Sequence, residues 1–182
     1  MTLSRYLGSA PRPAGAPPAS PGETETVRRI VRELDALPPE RARFLAAFAY
    51  TLARAASADL HISDVETTVI ERLVEEHGGL PAAHAVLVAQ IAKSQAELTG
   101  GTDDFIVTRA FRELSDAGER LALLRCCYLV GAADESISAE EVSVLGQIAR
   151  ELDIDRADLN AIRAEFADRL ALIQAWFGGR SG

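Results

Sequence analysis

Apolar residues recur at three- and four-residue steps through most of the chain, and prolines, glycines or acidic turns interrupt them. Val27, Ile30, Val31 and Leu34 share one helical face, behind a capping Thr24 or Thr26. Pro38-Pro39 ends that stretch and opens a second helix through Phe44, Leu45, Phe48, Leu52 and Ala56. A third helix is expected from Ser63 to about His77, stopped by Gly78-Gly79. Pro81 opens a fourth through Val86, Leu87 and Ile91 to about Leu98, before Gly100-Gly101. Later helices are expected over about 119–133, 138–152 and 156–175, so everything from residue 23 onward reads as helix. The fold class is all-α.

The pattern is stated twice. Between positions 58–76 and 133–151, Ala58, Asp59, Ile62, Ser63, Glu66, Val69 and Glu76 recur without a gap. Further out, Val31-Arg-Glu-Leu34 followed by Glu40-Arg41 is echoed by Phe111-Arg-Glu-Leu114 followed by Glu119-Arg120. A bundle of about eight helices is therefore expected, built as two pseudo-repeated four-helix units over about 27–98 and 107–175 within a domain spanning 23–177. The offset drifts from 80 through 79 to 75, which makes the second helix of the first unit about one turn longer than its counterpart. Residues 1–22 are rich in Pro, Ala and Gly, and a disordered tail is expected there. Its first seven residues hold Leu3, Tyr6 and Leu7; a frayed terminus is the expected reading, a docking tag the alternative.

Composition agrees with helices more than sheets: 48% of residues are hydrophobic but only 5% aromatic. The formal charge is -8, and the arginines are spread singly, so a nucleic-acid partner is not expected. Residues 59–76 hold six acids against Arg72 alone, and residues 134–153 hold six against Arg150 alone. Outside these windows 15 acids face 17 bases, so the negative charge belongs to the repeats. Cys126 and Cys127 are adjacent in an apolar helical run, where they cannot bridge each other and suit a helix interface. Without a leader-like pattern or a cysteine framework, a cytoplasmic location is expected. No apolar run is long enough for a transmembrane segment.

Much of the repeated corner is capping. Ser63-x-x-Glu66 and Ser138-x-x-Glu141 are capping boxes, and Ile137 at N′ can staple to Val142 at N4. Capping leaves out Asp59 and Asp134, which follow a helix C-terminus, where a carboxylate is disfavoured by about 0.3–1 kcal/mol unless something positive faces it. A local aspartate turn, an arginine from a neighbouring helix or a bound cation would each answer that. A calcium loop of the EF-hand type fails, because its early ligand positions would be Val130 and Ala132 and its glycine position Glu135. A different hard-cation site stays open: Asp59 with Glu66, and Asp134 with Glu141, joined by Asp64, Glu135 and Glu140. Oxygen-only ligands favour Ca²⁺ or Mg²⁺ over zinc. His61, His77 and His84 lack the spacing of a helical zinc pair. Gly131 and Gly146 suit close helix approach. There is no phosphate loop, nucleophile elbow or triad pattern, so the chain is not expected to be an enzyme. A thiol-dependent oxyanion reductase using Cys126 or Cys127 would need an exposed thiol of low pKa.

The corners Ala58-Asp59-Leu-His-Ile62-Ser63-x-x-Glu66 and Ala133-Asp134-Glu-Ser-Ile137-Ser138-x-Glu-Glu141 resemble the tellurite-resistance TerB family, which includes the TerB-like domain of the DjlA co-chaperone. The hallmark of that family is an Ala-Asp-Gly-x-Ile-x-x-x-Glu corner occurring twice in an all-helical domain. The resemblance covers about residues 25–175. It departs where Leu60 and Glu135 stand in place of glycine, and no J-domain His-Pro-Asp signature follows. The resemblance implies an all-α bundle tied to tellurite and general stress resistance, working as a metal-associated scaffold near the membrane and not as an enzyme. Its acidic positions would be Asp59 and Glu66, and Asp134 and Glu141. Protein partners and peripheral membrane association are the expected dealings of such a module.

Overall fold

The computed structural model describes residues 21–56, 64–96, 104–132 and 137–167. Among them the chain forms α1 (Pro21–Asp35), α2 (Pro39–Ala56), α3 (Asp64–Gly78), α4 (Ala82–Ala96), α5 (Asp104–Leu114), α6 (Ala117–Gly131), α7 (Ala139–Glu151) and α8 (Arg156–Glu165), with no strand. The all-α expectation holds. Helix α1 starts at Pro21, ahead of the Thr24 or Thr26 start read from the sequence, and the rest of the expected 1–22 tail lies outside the described residues.

Local chemistry sets most boundaries. Pro39 opens α2 at a position whose N–H no helix would use, and the Pro38 carbonyl accepts from Ala42 N–H at 3.0 Å. The Pro81 carbonyl accepts from Ala85 N–H at 3.0 Å and so starts α4. Helix α6 begins at Ala117, two residues before the expected start. Asp116 is its cap, its carboxylate accepting from Glu119 N–H at 2.8 Å while Glu119 accepts from Asp116 N–H at 3.0 Å. Helices α3 and α7 both stop on a left-handed residue, Gly79 with φ 64° and Asp153 with φ 58°. At Asp153 the pattern is a Schellman motif: Ile154 N–H donates to Ala149 O at 3.0 Å and Asp153 N–H to Arg150 O at 3.2 Å. The matching hydrophobic partners also follow, since Leu80 is buried and Ile154 packs against the core.

Helix α2 is the centre of the bundle. It packs against α4, α5, α6 and α7, and α3 lies across α4 and α6. An element surrounded on this scale is apolar nearly all round, and every residue from Phe44 to Ala53 is buried. Four alanines in that run, at 46, 47, 49 and 53, let neighbouring helices approach closely. Phe44, Phe48 and Phe111 form an aromatic triangle, with centroids 4.9 Å apart for Phe44–Phe111 and 5.7 Å for Phe48–Phe111. Phe111 thus meets the middle of α2 while Thr108 meets Thr51 and Arg54 nearer its end. Helix α5 therefore runs antiparallel to α2.

Close approach is demanded at Gly78. A methyl group there would stand 3.2 Å from Phe48 Cζ and 3.6 Å from Cys126 Sγ, so the bare α-carbon lets the end of α3 seat between α2 and α6. The two glycines singled out from the sequence are less constrained: a Cβ at Gly131 would meet Leu145 at an ordinary 4.0 Å, and one at Gly146 would meet only arginine tips. Cys126 and Cys127 are fully buried at the same junction, their thiols directed at Leu73 O and Thr51 O. They fill a helix interface, as their setting suggested.

Candidate functional site: the acidic corners

The second corner is described from Ile137 onward. Ile137 is wholly buried, and Val142 packs against the core five residues later, as a hydrophobic staple needs. Ser138 caps α7 in an extended conformation, with φ -66° and ψ 165°. Its hydroxyl accepts from Glu141 N–H at 3.2 Å, and Glu141 Oε2 accepts from Ser138 N–H at 2.6 Å. The capping box read from Ser138-x-x-Glu141 is therefore formed. It folds the Glu141 carboxylate back over the start of α7, on the side where the chain leaves the corner. One oxygen lone pair is used there, and a carboxylate has about four. Glu140 projects from the first turn and is exposed.

The other candidate ligands fall elsewhere. Asp59, Asp134 and Glu135 lie outside the described residues, as do His61 and Ser63. The backbones of Asp64 and Glu66 belong to the first turn of α3, and their side chains are likewise outside the described part. Among the described residues no group of three or more His, Cys, Asp or Glu comes together as a metal cage.

Sequence reading missed an ion pair that ties the second acidic window to the first half of the chain. Arg54, in the last turn of α2 just before the first corner, donates from both guanidinium nitrogens to Glu151 in the last turn of α7. The two side chains are 10% and 15% exposed, so the pair is largely shielded from water. Arg54 Nη2 also donates to Gln147 Oε1 at 3.1 Å, and Thr108 Oγ1 accepts from Nη1 at 3.4 Å. One of the six acids in the second window is thereby neutralised by a cation from the first half. Its counterpart in the first window, Glu76, is instead exposed beside His77. The repetition of Glu76 at 151 was visible in the sequence, but a partner 97 residues away leaves no local sign.

Several other titratable groups serve packing or local pairing. His84 stands 3.4 Å from Arg41, and partial burial, then the nearby guanidinium, lower its pKa. His77 lies in the last turn of α3, where a cation complements the helix dipole. Arg125 forms a two-bond pair with Glu165 at 2.8 and 2.9 Å, which ties α8 to α6 and holds the Glu165 carboxyl below its usual range. Burial pushes the Cys126 thiol up to about 12 and raises that of Cys127 well above the ordinary thiol range. Neither is the exposed, acidic thiol that a reductase of oxyanions would use.

These features define a class: a bundle that is all-helical among the described residues, in a chain whose sequence carries the Ser-x-x-Glu motif twice with acid concentrated around each copy. Residues 44–164 match the family model described as tellurite resistance protein TerB, and the chain belongs to that family. Comparison with curated proteins and with solved structures finds no significant match. No described helix is long and apolar enough to cross a membrane.

Proposed function

We infer that this chain is a non-enzymatic tellurite- and stress-resistance module of the cytoplasm that binds a divalent cation, Ca²⁺ or Mg²⁺, and a protein partner at its two acidic corners. The observation that supports it most is the Glu141 carboxylate, folded by its own cap back over Ser138, which follows Asp134 by four residues in the chain. Asp59 with Glu66, and Asp134 with Glu141, are the ligands on this reading, with Asp64, Glu135 and Glu140 as supporting oxygens. Hard cations suit an all-oxygen set, and turn carbonyls can complete the shell. The duplication fits the same reading: α3 and α7 each follow a corner and each stop on a left-handed residue, while α2 has 18 residues to 15 in α6.

A second reading has its own support. The Glu141 oxygen is already satisfied by the Ser138 N–H, so the corner can be complete without an ion and act as a metal-independent interaction scaffold. Thermal unfolding in EDTA and in millimolar Ca²⁺ or Mg²⁺ separates the two. Ion binding to the native state alone raises Tm by mass action. Unchanged melting at millimolar ion, together with partner capture indifferent to EDTA but weakened by salt, would establish the scaffold instead.

A further inference from the structure

Away from the corners, two guanidinium groups converge on one glycine. A Cβ built on Gly146 of α7 would stand 3.5 Å from Arg163 Nη2 of α8 and 3.8 Å from Arg150 Nη1. The two tips are therefore within about 7 Å of each other, inside the screening length of about 10 Å at 0.1 M salt, and they repel. Each arginine alone has an ordinary explanation, because each lies in the last turn of its helix and complements the dipole there. That does not explain why both lean over the same position. The acids next to them in the chain are already committed, Glu151 to Arg54 and Glu165 to Arg125. Among the described residues no carboxylate lies within ion-pair distance of Arg150 or Arg163. Arg163 is also held in place from beneath. Its Nε donates to the Tyr128 hydroxyl at 3.2 Å, and Tyr128 is wholly buried, stacked on Phe166 with centroids 5.4 Å apart. The hydroxyl accepts in that bond, and no described residue accepts the hydroxyl's own proton. A buried O–H without an acceptor is costly, and here it stands beside two cations that lack one as well.

We propose that Arg150, Arg163 and Tyr128 form a binding site for a phosphate group, seated over Gly146. The charge argues for a dianion, since two guanidinium groups face the position and no carboxylate offsets them. The geometry argues for a tetrahedral one. The donors come from three helices, α6, α7 and α8, whereas a planar, singly charged carboxylate matches a single guanidinium fork. Charge-assisted bonds of about 2.8 Å from each tip, joined by the O···O edge of one phosphate, span the gap between the two arginines. Arginine stands at both positions, and its fixed fork suits phosphate oxygens better than the point charge of lysine. Gly146 contributes by having no side chain, which leaves the ground between the two tips clear. The chemistry is the same for free phosphate and for the end of a phosphomonoester, and the test separates the two. The site stands apart from the acidic corners and does not depend on cation binding there.

The test is a titration of the isotope-labelled full chain with inorganic phosphate, followed by NMR at fixed ionic strength. EDTA is present throughout, so that no divalent cation bridges phosphate to the acidic corners. Saturable shifts of the Gly146 amide and of the Arg150 and Arg163 Nε–H signals are expected at millimolar phosphate, with none from acetate or chloride. Arg150→Gln changes an exposed side chain that the fold does not need, and it should weaken binding by about tenfold through loss of a bond to a charged group. Arg29→Gln removes the same charge from an exposed position on α1 and should leave binding unchanged. Glycerol phosphate binding at least as tightly as inorganic phosphate identifies a monoester as the ligand, and binding of inorganic phosphate alone identifies the free ion. Shifts that do not saturate, that acetate or chloride reproduce, that Arg150→Gln leaves intact, or that Arg29→Gln weakens equally overturn the proposal.

Discussion

Removing one partner of the Arg54–Glu151 pair measures how firmly the two halves of the bundle are tied. Both side chains are at most 15% exposed, and Arg54 sends two bonds to the carboxylate. Glu151→Gln keeps the shape but removes the negative charge that accepts two of the guanidinium's bonds, in a place where water is scarce. Breaking a fully buried pair costs about 3–5 kcal/mol, whereas an exposed pair contributes under about 1 kcal/mol. This pair lies nearer the buried limit, yet the glutamine oxygen and Gln147 still accept from the guanidinium. The expected loss is therefore about 2–3 kcal/mol, which for a domain of this size lowers Tm by about 4–12 °C. Urea unfolding should show the midpoint shifting with an unchanged slope, since the fold itself persists. The loss should also survive 0.5 M salt, because screening acts weakly on a shielded pair. A change below about 0.5 kcal/mol, or one that salt abolishes, would show that the pair is an ordinary surface contact and refute the reasoning.

Other consequences are as specific. Asp153 holds a left-handed backbone that glycine adopts at no steric cost, so Asp153→Gly should stabilise the protein by up to about 1 kcal/mol, and Gly79→Ala should cost a similar amount in chemical denaturation. Ser138→Ala removes a helix cap and should cost about 1 kcal/mol, whereas Glu141→Gln keeps the box, since glutamine serves at N3, and should leave Tm nearly unchanged. The pKa of His84 is lowered, so the unfolded chain binds its proton first as pH falls. Stability should decline as pH drops through the unfolded value of about 6.5 and level off below the folded one, and His84→Gln should flatten that part of the profile in melts from pH 8 to 5. Iodoacetamide at pH 8 should leave Cys126 and Cys127 unmodified in the native protein and label both in denaturant, as read by mass spectrometry; rapid native labelling would contradict their burial.

The parts of this fold that were legible in the sequence are the ones set by neighbours along the chain. Pro38-Pro39, Pro81 and Gly78-Gly79 placed helix ends because their effect on the backbone is local, and Ser138-x-x-Glu141 announced a capping box that the structure forms. Asp116-x-x-Glu119 is the same device, but it follows a short turn after α5, and Asp116 was not recognised as a cap. Contacts between distant segments left no such mark. Arg54 and Glu151 each looked like an ordinary charge on a helix, and nothing nearby hinted that they meet. Gly78 was visible as a helix stop, yet its packing against Phe48 and Cys126 depends on where three helices converge. Gly131 and Gly146 attracted notice for being glycines within helices, and neither position is crowded by backbone or core. The acidic candidates are an intermediate case. Glu141 has its place because its cap is local, while the convergence of Asp59 with Glu66, or of Asp134 with Glu141, is a matter of turn geometry that residue spacing alone does not supply.

The central claim is that the two corners are cation sites, and calorimetric titration of the full chain with Ca²⁺, Mg²⁺ and Mn²⁺ tests it most directly. Wild type should take up two ions, Asp134→Asn or the cap-preserving Glu141→Gln should take up one, and Asp59→Asn with Asp134→Asn should take up none while remaining folded. Absence of both binding heat and thermal stabilisation in wild type at millimolar ion, or uptake unchanged in the double variant, would contradict the account.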